Sequence, residues 1–198
     1  AYIYSKEIAI NIYNNASLNV EGGTIEASNG IKTNKNNGGT INIKGGAINS
    51  NINENSYEKT GNGILFNDGI LEISGGSIRG ENSGINISKG IIQMSGGSIK
   101  GEYLGISVEG VETASDIEIY ITGGEVEGEE YGIYGEYSTK ISKLVLGNND
   151  ENKPLSMPVI RGKSKGINLP ATYLEFYDGI IYGEYGNVTA VNATPYGY

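Results

Sequence analysis

The sequence predicts an all-β fold, a right-handed parallel β-helix of about seven coils, and three observations predict it. Gly-Gly pairs recur at 22–23, 45–46, 75–76, 96–97 and 123–124, at intervals of 21 to 30 residues. Similar segments surround them: LNVEGGTIEASNGI, INIKGGAINS with GNGILF, LEISGGSIRGENSGINI, IQMSGGSIKGEYLGISV, IYITGGEVEGEEYGIY and LEFYDGIIYGEYGNVTAV. Within each segment aliphatic and polar residues alternate with period two, the mark of strands with one inward face.

Each repeat reads as strand, Gly-Gly turn, short strand, polar turn with Gly, short strand, giving three short faces per coil. In residues 71–87 the inward set is Leu71, Ile73, Ile78, Ile85 and Ile87, and the next coil supplies Ile92, Met94, Ile99, Ile106 and Val108. Stacked coils place such residues in columns about 4.8 Å apart. A lone coil cannot bury its face, so stability must come from its neighbours. The second glycine of a pair permits a positive φ at a sharp bend. The variable spacing suits a β-helix with loops of unequal length and disagrees with leucine-rich repeats. A seventh copy is split by a loop: Leu144-Val145-Leu146 opens it, and VIRGKSKGINL at 159–169 resumes it, matching SIRGENSGINI at 77–87. Phe66-Asn67-Asp68-Gly69 and Phe176-Tyr177-Asp178-Gly179 form two F-x-D-G corners, with the Phe expected inward and the Asp bonded to local backbone.

Composition bounds the rest. The 198 residues suit one elongated domain, residues 1–198. Glycine is abundant (32) without a G-X-Y period, which excludes collagen. There is no Cys, His or Trp, which removes disulfides, thiolate or imidazole metal sites and histidine catalysis. A net charge of −9 argues against a nucleic-acid partner. No apolar run reaches spanning length, so membrane insertion is not expected. No signal peptide is visible, and Ala1 opens directly into a strand-like pattern.

The run LEFYDGIIYGEYGNVTAVNATPYGY, with PVIRGKSKGINL before it and the GG-x-I-x-G coils upstream, resembles a repeat-rich secreted or cell-surface β-helix module of low-GC Gram-positive bacteria. That resemblance implies extracellular or cell-surface display and carries no catalytic residue.

Candidate chemistry is sparse. Arg79 and Arg161 fall at matching outward positions of two coils and read as surface decoration. The glutamates of the G-E-Y and G-E-E-Y runs would be brought close by stacking alone, so paired carboxylates do not by themselves indicate glycoside hydrolysis. The expected ligand face combines Tyr103, Tyr131 and Tyr185 with Glu102, Glu130 and Glu184, since tyrosine can stack a sugar ring while carboxylates bond its hydroxyls. The alternative is an aromatic ladder that only stabilises stacking. Asn49, Asn51, Asn53 and Asn55 suggest an amide ladder or turn chemistry, and Asn148-Asn149-Asp150-Glu151 is a weak calcium loop. No cofactor, metal or catalytic residue is expected.

These readings lead to a non-catalytic extracellular structural or adhesion module, with a surface glycan or protein as partner and end-to-end self-association into a filament as a further expectation. The alternative is a carbohydrate-binding or carbohydrate-cleaving β-helix that uses the Tyr/Glu face.

Overall fold

The computed structural model describes residues 1–50, 61–109, 115–136, 139, 141–148, 157–186 and 188–195. Among them every regular element is a β-strand, and every strand pairing is parallel. The chain winds into a β-solenoid of about seven coils with three faces. Parallel strands joined by a full circuit take the right-handed sense.

Face A contains Tyr2–Tyr4, Thr24–Ala27, Ala47–Ser50, Ser77–Gly80, Ser98–Gly101, Glu125–Gly128, Val159–Gly162 and Ile180–Tyr182. Face B runs from Ile8–Ile12 through Asn29–Thr33, Asn62–Phe66, Ser83–Ile87, Leu104–Val108 and Tyr131–Gly135. Face C is built from Ser17–Val20, Thr40–Ile43, Ile70–Ile73, Gly90–Met94, Ser115–Ile121 and Ile141–Leu146. The long strand Lys165–Phe176 turns the corner, pairing with face B at its start and with face C at its end, and so joins these two faces into one hydrogen-bonded sheet.

The inward columns are those the period-two alternation predicts. Leu71 lies against Ile92, Ile73 against Met94, Ile78 against Ile99, Ile85 against Ile106 and Ile87 against Val108. All ten are at most 2% exposed. On face A the column continues as Ile25, Ile48, Ile78, Ile99, Val126 and Ile160, each buried. Each such side chain contributes about 1.5–3 kcal/mol through burial, and together they make one continuous apolar rod. The split coil is confirmed, since Leu144 pairs with both Ile119 and Leu174, and Val126 pairs with Ile160.

Glycine sets the corners. The second member of each pair adopts the left-handed region, at φ of 77° for Gly76 and 82° for Gly97. A different constraint holds Gly84, the second residue of the face B strand Ser83–Ile87. A Cβ there would lie 2.5 Å from Ile99 Cγ2 and 2.9 Å from the Gly105 carbonyl oxygen. The missing side chain is what lets face A isoleucines approach face B backbone. At the F-x-D-G corners Phe66 is fully buried and Phe176 half-buried. Asp68 Oδ1 accepts the Gly69 N–H and Asp178 Oδ1 accepts the Gly179 N–H, both at 2.8 Å.

Gly84→Ala is expected to destabilise the fold by about 1–3 kcal/mol through overpacking. Asn86→Ala, two residues further on the outward side, should stay within about 0.5 kcal/mol. Urea denaturation of the two variants checks both values.

Candidate functional site

The six residues expected to share one ligand face do not form an unbroken stripe. Gly101 pairs with Gly128 and Leu104 with Tyr131, so between them Glu102 faces Glu129 and Tyr103 faces Glu130. Tyr131 therefore lies one column away from Tyr103. Tyr185 does share the Tyr103 column, but Glu130 and Ser164 intervene, as the Ser164 N–H to Glu130 oxygen (2.8 Å) and Tyr185 N–H to Ser164 oxygen (3.2 Å) bonds show. Glu102 and Glu184 share the neighbouring column, and Glu130 does not. For Tyr131 to stack on Tyr103, the second Glu of G-E-E-Y-G would have to be an insertion. The turn allows none, because Gly101 to Gly105 and Gly128 to Gly132 span the same number of residues.

The individual side chains have local roles. Glu102 Oε1 lies 3.4 Å from Arg79 Nη2. Tyr131 packs on Tyr134, ring centroids 4.9 Å apart and tilted by 35°. Tyr103 and Tyr185 are exposed, and Glu184 and Glu130 are exposed beside them. Arg79 and Arg161 occupy one outward column of face A, with Lys100 and Glu127 between them. Arg161 bonds Glu125 at 3.0 Å and Lys100 bonds Glu127 at 2.7 Å. Exposed pairs of this kind contribute about 0–1 kcal/mol each, so the column reads as decoration. Asn49 stands in the same column, whereas Asn51, Asn53 and Asn55 lie outside the described residues, as does the calcium loop beyond Asn148. Among the described residues no group of three or more acidic side chains is placed to hold a metal ion.

A concavity lies instead on face C, a groove of about 490 Å³ crossing four successive coils. Its floor is the outward column Asn42, Glu72, Gln93 and Tyr120, each paired with the next through strand register. A second row, Lys44, Ser74, Ser95 and Thr122, borders it. These residues alternate with the inward Ile41, Ile43, Leu71, Ile73, Ile92, Met94, Ile119 and Ile121, so the rod itself fixes their direction. The floor residues repeat at the rise of one coil, about 4.8 Å.

Tyr120 closes one end. Its hydroxyl donates to Glu118 Oε2 at 2.6 Å. That bond, followed by partial burial and the charges of Glu118 and Glu175, pushes its pKa up to about 12. Lys143 Nζ lies 5.9 Å from the ring centroid, within cation–π range, and 3.2 Å from Glu175 Oε1. The Tyr177 hydroxyl donates to Glu175 Oε2 at 3.1 Å. The ring is thus held by a network of four charged or phenolic partners. At the other end Asn42 Nδ2 donates to Asn19 Oδ1 at 2.8 Å, while Asn42 Oδ1 is buried without a hydrogen-bond partner.

Sequence reasoning passed over Tyr120 because it looked for tyrosine beside glycine. The signal was present in the alternation: in DIEIYITGG, Tyr120 falls between inward Ile119 and Ile121, at the outward position taken by Gln93 and Glu72 one and two coils earlier.

A raised phenol pKa means that the folded state disfavours the Tyr120 phenolate. The stabilisation it gives is complete below the ordinary tyrosine range near pH 10 and is lost as pH rises through about 12. Ultraviolet titration should show a late-ionising phenol among the fifteen tyrosines, and Tyr120→Phe should remove that late step while leaving the earlier ones.

No protein-family model matches this chain, and neither a curated protein nor a solved structure shows significant similarity to it.

Proposed function

We propose that this chain is a non-catalytic binding module of an extracellular or cell-surface scaffold, and that it holds an extended glycan along the face C groove. The observation that carries this reading is the groove itself. Amide, hydroxyl and carboxylate groups follow one another at a fixed rise and end at a tyrosine ring held in place by its neighbours. A sugar chain offers hydroxyls at a comparable repeat and an apolar ring face for stacking. A rigid floor lowers the ordering cost of binding.

Catalysis is left out of this reading for a chemical reason. Glycoside hydrolysis uses two free carboxyl groups about 5–10 Å apart. At the Tyr120 end Glu118 accepts the Tyr120 hydroxyl, and Glu175 is bound by Lys143 and Tyr177. Both carboxylates are occupied as positioning groups.

The tilted Tyr131–Tyr134 pair on face B supports a second reading, in which the sugar stacks there beside Tyr103. A glycan array followed by isothermal titration of the hits separates the two. Tyr120→Ala should weaken binding about tenfold or more, and Tyr131→Ala should leave it unchanged. Loss with Tyr131→Ala alone would move the site to face B. A parallel assay of new reducing ends should stay at background. Cleavage, or the absence of any glycan ligand, would contradict the proposal.

A further inference from the structure

Two acceptors stand next to each other on the groove floor. Asn42 Oδ1 is buried and has no hydrogen-bond partner. Its own amide nitrogen is committed to Asn19, which turns the oxygen away from that side. One coil further, Glu72 is the register partner of Asn42. Its carboxylate is exposed and makes no ion pair among the described residues. The other charged residue lining the groove is Lys44, whose ammonium lies 3.7 Å from Glu21. Beyond the groove's end, Lys143 is engaged by Glu175. The groove therefore offers a negative charge and a neighbouring orphaned oxygen, and its nearby positive charges already have carboxylate partners.

A ligand lying over this floor strips water from Glu72. A carboxylate that loses water needs donors in return, and an unpaired one is costly. A primary ammonium supplies three donors on one centre and can bond a carboxylate and an amide oxygen together. A uronate would instead place a second negative charge beside Glu72. We infer that the groove selects glycans bearing a free amino group, with the ammonium seated between Asn42 Oδ1 and the Glu72 carboxylate. This inference rests on the glycan reading above and assigns the ligand's chemical class within it.

Isothermal titration of the intact chain with three oligosaccharides of equal length tests it: a β-linked glucosamine oligomer, its fully N-acetylated counterpart and an oligogalacturonate. The glucosamine oligomer should bind about tenfold or more tighter than the other two. Glu72→Gln should abolish that preference by weakening the glucosamine oligomer about tenfold more than the N-acetylated one. Glu7→Gln, an equal charge change on the exposed first coil, should preserve the preference. Equal losses from both variants would show attraction to net charge alone and overturn the inference. So would oligogalacturonate binding as tightly as the amino oligomer, or a preference that survives Glu72→Gln. Binding of all three oligomers without discrimination would overturn only this inference, whereas binding of none would overturn the glycan reading as well.

Discussion

Along the described coils the inward aliphatic columns stack side chain on side chain, and the backbone ladder between coils holds them there. Burial and register are therefore one constraint. Ile85 has no solvent exposure because Ile64 and Ile106 sit on either side of it, and those contacts exist only while face B strands pair in step. A slip of one residue would turn the whole inward column to solvent. Glycine enforces the same step from the other side. Gly84 and its equivalents Gly63, Gly105 and Gly132 leave no room for a Cβ between the β-branched aliphatics of face A and the next coil's backbone.

This constraint explains what the sequence makes legible. Leu71, Ile73, Ile78, Ile85 and Ile87 recur as aliphatics in the next coil, since each must fill the same slot in the rod. Even the coil interrupted after Leu146 keeps its slots, with Val126 against Ile160 and Ile133 against Ile167. The inward columns can absorb variation where the corner widens. Thr33 occupies the slot that Phe66 fills one coil later, and its hydroxyl accepts the N–H groups of Asn67 and Asp68 at 2.8 and 3.2 Å.

Outward columns carry no such requirement, and there the sequence is harder to read. Asn42, Glu72, Gln93 and Tyr120 share a column but not a chemical type, so similarity between repeats cannot reveal them. Their proximity comes from stacking alone. The tyrosines of the G-E-Y turns show the opposite error, where likeness in sequence suggested a column that the equal turn lengths forbid. The site is therefore a product of the scaffold's register, with a mixed row of polar groups displayed on a surface whose spacing the core dictates. The ion pairs of face A use the same display and add solubility more than specificity.

In-register stacking across the whole rod is the claim on which the groove, the columns and the glycine roles stand. A distance measured between spin labels tests it most directly, since the chain has no native cysteine. Labels at Lys32→Cys and Asn168→Cys occupy one outward column of face B, five coil steps apart through Leu65, Asn86, Ser107 and Tyr134. Pulsed electron resonance should give a single narrow distance of about 24 Å, five times the strand spacing. A broad distribution, or a sharp one far from that value, would contradict stacked coils in common register.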